Sequence, residues 1–293
     1  MMTEVLAATP EGSLNRVAQA PTRIPGSLSL VLPAHNEQEN IEIVVERALQ
    51  VLPSFTDDFE IIVVNDGSKD HTGAIIDRLA AEDPRVRPIH HIKNRGYGGA
   101  LTSGVQASTS DYVMFMDADR QFDISDLGRL SPLVGMFDIV AGFRMERNDE
   151  FHRKLFAEIF NLTGRILFGI HVRDIDCAFK VFRGDMLRTL NLTAPGALIN
   201  TEMQAKLRRQ GASLVQVGVN HYPRVAGEAT GGNPKVILRA MKDTIRLWWQ
   251  MHSYQPPATA PDPRGPYRLG DIVIGAGVGV GLLLLNSIFR RGK

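Results

Sequence analysis

Between Ser27 and Met116 the chain alternates short apolar runs with stretches in which apolar residues recur at helical spacing. Ser27 to Leu32 predicts a first strand, and after the polar turn around His35, Asn36 and Glu37 an amphipathic helix runs from Gln38 to Leu52. The cycle then repeats. Phe59 to Asn65 is a second strand closed by Asp66, Gly67 and Ser68, Thr72 to Ala81 a second helix, and Val86 to His90 a third strand. A glycine-rich turn in Lys93 to Gly99 leads into a third helix, and Tyr112 to Met116 is a fourth strand. This alternation predicts βαβ units, hence an α/β fold with a mostly parallel sheet, wound by right-handed crossovers and flanked by helices. Past Asp123 the rhythm loosens. Short strands are expected at Ile139 to Gly142, Lys180 to Phe182 and Leu214 to Val219, with helices at Phe151 to Phe168 and Leu198 to Gln210.

In a sheet of this kind ligands bind at the C-terminal ends of the strands. The polar clusters fall there: His35, Asn36 and Glu37 after strand one, Asp66 and Ser68 after strand two, Lys93 to Gly99 after strand three, Asp117 to Gln121 after strand four. In extended chain, side chains two apart project the same way, so Asp117 and Asp119 can turn two carboxylates toward one point. Hard cations such as Mg²⁺ or Mn²⁺ take one or two protein carboxylates together with phosphate oxygens and water. Alone, such a pair is more commonly a solvated turn. The acids, amides and glycines on the same edge change the reading to a nucleotide site. Neither GxGxxG nor GxxxxGK[ST] occurs, so a dinucleotide-binding or P-loop reading gains no support.

Composition adds limits. The chain has 293 residues, 44% hydrophobic and 22% charged, enough for a sizeable core. Thirty-three Lys and Arg against 32 Asp and Glu leave a net charge of +1, which offers no global field for nucleic acid. Cys177 is the only cysteine, so an intrachain disulfide and a cysteine-based zinc site are excluded.

The two ends read differently. Residues 1–26 carry no continuous apolar run and are expected to be a disordered lead-in to a domain over 27–232. From Pro234 to Met251, Lys235, Arg239, Lys242 and Arg246 form one helical stripe, with Ile237, Met241, Thr244, Ile245 and Trp248 opposite. That is an interfacial helix pattern, placed at 233–254. A proline-rich linker follows over 255–269. Ile272 to Phe289 then carries no charge, a length of about 27 Å as a helix, which predicts a membrane helix over 270–290 with Arg290, Arg291 and Lys293 behind it. Interlocked GxxxG spacings, Gly275 with Gly279 and Gly277 with Gly281, would permit homo-oligomers through it.

Taken together, LPAHNEQENI, IIVVNDGSKDHT, NRGYGGAL, FMDADRQF, VRDIDCAFKVFR and HYPRVAGE, in that order, make the chain resemble an inverting family 2 glycosyltransferase of the GT-A fold. It is most similar to the polyprenyl-phosphate (dolichol-phosphate type) sugar transferases. The resemblance covers about Leu28 to Trp249. It implies a nucleotide-diphospho-sugar transferase fold, a GDP- or UDP-sugar donor, a polyprenyl phosphate acceptor and a divalent metal, Mg²⁺ or Mn²⁺. By the same resemblance Pro33, Asn36, Glu37, Asp66 and Gly98 line the base and ribose, and Asp117, Asp119 and Gln121 hold the metal. Arg144 and Arg153 meet the acceptor phosphate, while Asp174 and Arg224 complete the sugar and diphosphate pocket, so that Asp119, Arg224 and Asp174 carry the chemistry. The uncharged terminal run is expected to be a single-pass C-terminal membrane anchor; Arg264 and Arg268 on one side nearly balance Arg290, Arg291 and Lys293 on the other, which leaves orientation open, and the catalytic domain is expected on the cytoplasmic face.

A phosphate acceptor is already anionic near neutral pH and needs orientation more than a strong base. Consistent with that, Thr201-Glu202-Met203 has methionine where relatives acting on hydroxyls carry a catalytic aspartate. No QxxRW motif occurs, Ala178 stands where glycine is usual, and Ala229 where serine is common. Two other readings are open on the sequence: transfer to a saccharide or protein acceptor, and a non-catalytic scaffold that binds a nucleotide sugar. Glu202, His221 and Asp176 fit either structural or catalytic roles.

Overall fold

The computed structural model describes residues 22–145, 151–224, 234–264 and 272–274. The first four strands are β1 (Leu28–Ala34), β2 (Phe59–Asn65), β3 (Val86–His90) and β4 (Tyr112–Phe115). Three helices connect them: α1 (Ile41–Val51), α2 (Thr72–Glu82) and α3 (Tyr97–Ala107). After a short α4 (Leu127–Leu130) come β5 (Ile139–Arg144), α5 (Phe151–Phe168), β6 (Lys180–Arg183) and α6 (Gly184–Arg188). The described chain closes with α7 (Ile199–Arg209), β7 (Leu214–Val219), α8 (Pro234–Ser253) and β8 (Ile272–Ile274).

The strands join one sheet in the order β3-β2-β1-β4-β6-β5-β7-β8. Strands β1 to β4 run parallel, β6 is antiparallel to both β4 and β5, and β7 and β8 run parallel to β5. Residues on both faces of β2 and β7 are buried, as the unbroken apolar runs of these strands require once helices cover each side. Strand β3 is the edge, mostly exposed, and tolerates Pro88 because an edge strand need not donate on its outer side.

At the N-terminal rim of the sheet, Asp138 is a buried anchor. Its carboxylate accepts Ser213 N at 2.9 Å, Ser213 Oγ at 2.8 Å and Arg264 N at 3.1 Å, while Arg183 Nη1 lies 3.3 Å away. Arg264 Nη1 also donates to the Tyr112 hydroxyl at 2.9 Å. The part of the expected linker that is described is therefore docked on the sheet, because Arg264 N adds a donor to a buried carboxylate already held by Ser213 and Arg183, and Asp262 O accepts Arg183 Nη1.

Two further expectations change. Residues 272–274 form a strand paired with β7, not the start of a membrane helix; residues 275–293, with the GxxxG spacings, lie outside the described residues. Among the described residues no helix is long and apolar enough to cross a membrane. In α8, Thr244, Leu247 and Met251 are buried against the domain, while Lys242, Ile245, Arg246 and Trp249 share the exposed side. Of the residues expected opposite the cations, Thr244 is on the buried side and Trp248 is half-buried, but Ile245 is exposed beside Lys242 and Arg246. The side chains of Lys235, Ile237, Arg239 and Met241 lie outside the described residues, as do residues 1–21 of the expected lead-in.

Candidate active site

The turns after β1 and β2 are stitched into one surface. Asn36 adopts a left-handed conformation at φ 56°, which lets its side-chain oxygen accept Lys69 N at 2.9 Å while its own N–H donates to Ser68 Oγ at 3.0 Å. Glu37 N donates to Thr72 Oγ1 at 2.9 Å, and the Glu37 carboxylate accepts Asn40 Nδ2 at 2.6 Å. Burial pushes the Glu37 carboxyl above its ordinary range despite that bond. Pro33 sits half-buried near the end of β1.

Asp66 clasps the next turn. Its Oδ1 accepts Arg95 N at 2.8 Å and lies 2.6 Å from His91 Nδ1, whose other ring nitrogen is 2.9 Å from Ser103 Oγ. Gly67, at φ 66°, must be glycine twice over, since a Cβ there would stand 2.6 Å from the backbone nitrogen of Asn94. Gly98 opens α3, where its N–H donates to Pro195 O at 3.0 Å.

Asp117 and Asp119 follow β4 as expected. Arg120 between them and Gln121 is left-handed at φ 64°, and the turn folds Gln121 N back onto Asp119 Oδ1 at 3.0 Å. The second Asp119 oxygen takes Arg224 Nη2 at 2.6 Å, and the same guanidinium stands 3.9 Å from Glu37. Gln121 Nε2 donates to Tyr222 O at 3.3 Å and Tyr222 N donates to Gln121 O at 2.9 Å, so the DxD turn and the segment carrying Arg224 are bonded to each other.

The Asp117 carboxyl is raised to about 7, first by burial and then by its neighbour Asp119. Its Oδ1 is shut from water without a hydrogen-bond partner, and the buried Tyr97 hydroxyl beside it is outside hydrogen-bond geometry. A buried orphan oxygen beside a second carboxylate is what a divalent cation relieves, so these residues fit Mg²⁺ or Mn²⁺. Among the described residues no group of three or more His, Cys, Asp or Glu is gathered to hold a metal. The protein thus offers a partial shell, leaving positions for phosphate and water.

On the far side of β4, Arg144 forms a two-pronged ion pair with Asp174, Nε to Oδ2 at 2.6 Å and Nη2 to Oδ1 at 2.8 Å. Burial pulls the Arg144 guanidinium down, yet Asp174 more than offsets it and leaves it raised. Arg153 lies in α5, but its side chain is outside the described residues. His221 packs edge-on against Phe122, ring centres 5.2 Å apart.

Sequence reasoning missed Tyr97, His91 and Lys180. The last is fully buried at the start of β6, where its ammonium donates to Ile175 O at 3.0 Å and to Cys177 O, fixing the loop that follows Asp174. Burial lowers its pKa. Only the adjacency of DIDCAF to a strand-initial lysine could have signalled it.

Glycosyl transferase family 2 matches residues 29–190 of the chain, from β1 through α6. Glycosyltransferase AglD of Haloferax volcanii is 32% identical over 234 residues, 76% of this chain but 37% of AglD's own length. The undecaprenyl-phosphate mannosyltransferase of Micrococcus luteus is 30% identical over 210 residues, 68% of this chain and 85% of that protein. Among solved structures, glucosyl-3-phosphoglycerate synthase from Mycobacterium tuberculosis, in complex with Mn²⁺, UDP and glucosyl-3-phosphoglycerate, superposes with a TM-score of 0.59 at 23% identity. The match covers 78% of this chain and 80% of that one, and it shows the shared GT-A fold. With carboxylates at the strand ends, turns bonded to one another beside them and this extent of likeness in hand, the chain belongs to glycosyl transferase family 2.

Proposed function

We propose that this protein transfers a single sugar, with inversion, from a nucleotide-diphosphate sugar to a polyprenyl phosphate at a membrane surface. The observation that carries the reading is the joint at the end of β4, where Asp117, Asp119, Glu37 and Arg224 converge at the C-terminal edge of the sheet. The name of the Micrococcus relative, an undecaprenyl-phosphate mannosyltransferase, supports the acceptor class. The Mn²⁺ and UDP in the Mycobacterium structure support the donor class and the cation.

Asp117 and Asp119, with Gln121 as a further ligand, would hold the metal, which when bound would neutralise charge on the departing diphosphate. Arg224, paired with Asp119 here, would share the charge of the same diphosphate. Asn36, Glu37, Asp66 and Gly98 would line the base and ribose, with Pro33 at the floor. Arg144, paired with Asp174, would meet the acceptor phosphate, a role assigned to Arg153 as well. No strong base is needed, because the attacking phosphate oxygen is already charged.

The membrane reading draws support from two exposed strips. Lys242, Ile245, Arg246 and Trp249 line the outer side of α8, and α5, which packs beside it, exposes Ile159, Leu162 and Ile166. Apolar anchors among cations suit an anionic lipid surface. The test is to incubate membranes containing the protein with labelled UDP- and GDP-sugars and extract the lipid. Label in the lipid phase that requires Mn²⁺ or Mg²⁺ and vanishes in Asp119→Ala is expected. No lipid label with any donor would overturn the proposal, and label in a water-soluble glycan would favour a saccharide acceptor.

A further inference from the structure

Glu202 is a heavily bonded carboxylate that the chemistry proposed above leaves without a task. It is fully buried on α7. Its two oxygens accept Thr193 N at 2.9 and 3.1 Å, Thr193 Oγ1 at 3.1 Å and Ala194 N at 2.8 Å, and an ion pair to Lys206 Nζ closes at 2.5 Å. A general base needs a lone pair within reach of the proton it takes. Here the oxygens are spent on the 193–195 segment and on Lys206, in a place without access to water.

What that segment touches gives the arrangement meaning. Pro195 O accepts Gly98 N at 3.0 Å. A Cβ on Gly98 would fall 2.0 Å from Ala194 O, and one on Gly96 would fall 2.4 Å from Pro195 O. The segment is therefore a strap pressed against the glycine turn that opens α3. On its outer side Thr193, Ala194, Pro195 and Leu198 face Asp243, Arg246 and Leu247 of α8 across a cavity of about 120 Å³. Incomplete packing there leaves Glu202 as the group that fixes the strap from within.

We infer that Glu202 is a positioning residue for the donor: through the Thr193–Pro195 strap it sets the place of the Gly96–Gly98 turn and thereby the affinity for the nucleotide. The inference rests on the reading that this turn lines the nucleotide site. Glu202→Gln keeps the shape but removes the charge that holds Lys206 and two backbone N–H groups. Titration calorimetry of the full-length protein with UDP and with GDP, each with Mn²⁺, reads the effect directly and needs no acceptor. Glu202→Gln is expected to weaken the nucleotide that wild type binds by about tenfold. Gly98→Ala is expected to weaken it as well, and by less in the Glu202→Gln background than in wild type, because a loosened strap can yield to the new methyl group.

Wild type that binds neither nucleotide would sink the underlying reading of the site. Wild type that binds, with Glu202→Gln binding equally well, would overturn the strap alone. So would additive Gly98 and Glu202 penalties, or a turnover number in Glu202→Gln that falls at least about a hundredfold with loss of the acidic limb of its pH profile, the signature of a base. Should Glu202→Gln fail to fold, the same titration on Thr193→Val, which deletes one hydroxyl donor, decides: weaker nucleotide binding is expected, and unchanged binding overturns the strap.

Discussion

On one side of β4, strands β1, β2 and β3 run parallel and neighbour one another in reverse sequence order, and every turn at their C-terminal ends adds a group to the same edge. On the other side β6 is inserted antiparallel ahead of β5, and the polar groups arrive from loops and crossovers. The first half assembles its part of the site by topology and stitches adjacent turns with short-range hydrogen bonds, among them those that the Asp66 carboxylate accepts. The second half assembles by charge, holding Arg144 on Asp174 and Arg224 on Asp119 across 30 and 105 residues of sequence. A regular winding makes a site cheap to position, whereas an irregular one needs specific ion pairs to do the same.

That contrast can be broken at its strongest point. Arg144→Ala removes the two-pronged partner of a carboxylate that is 6% exposed, and is expected to cost about 3 to 5 kcal/mol in urea unfolding. A cost below about 1 kcal/mol would mean that charge does not hold the second half together. Asp119→Ala, where the halves meet, is expected to lower turnover by about 10²- to 10³-fold or more in the lipid-label assay, with the fold retained by circular dichroism.

Next comes pH. Metal binding requires the Asp117 carboxylate ionised, so Mn²⁺ affinity is expected to weaken toward tenfold per pH unit below about 7, read by titration calorimetry between pH 5 and 8. Stability of the metal-free protein runs the other way. Unfolded, this carboxyl titrates near 3.8, so between that pH and about 7 the folded state holds the extra proton and stability falls as pH rises. Asp117→Asn should flatten both dependences.

The smallest effects come from two glycines with the same backbone angle. Gly67 in the first half and Gly169 in the second both sit at φ 66°, but a Cβ on Gly169 meets nothing within 4 Å. Gly169→Ala is expected to cost about 1 kcal/mol, the conformational penalty alone. Gly67→Ala, with a backbone nitrogen 2.6 Å away, is expected to cost about 2 kcal/mol or more by thermal unfolding.

The same division decides what could be read in the residues. Strands β1 to β4 and their helices were legible because mostly apolar runs alternate with helical periods, β3 with its Arg87 and Pro88 being the weakest of them, and Asp117 and Asp119 stood out because they end a core strand. Nothing local announced that β6 would enter reversed, since four residues, Lys180 to Arg183, carry no direction. Lys180 looks like a solvent-facing lysine and is fully buried, its charge met by carbonyls of a loop that sequence spacing cannot place. The pairing of Arg224 with Asp119 depends on the return of the chain after β7. The strand at Ile272–Ile274 was hidden inside an apolar run whose length alone fits a bilayer.

The Asp138 anchor has a mechanical corollary. Because the chain after α8 is fastened at Arg264 to the rim remote from the aspartates, and β8 then runs back along β7, tension applied from the C-terminal side meets the short edge strand and this one carboxylate first. Load would be shed by unzipping three residues and breaking a few bonds at Asp138 long before it distorted the carboxylate turn after β4.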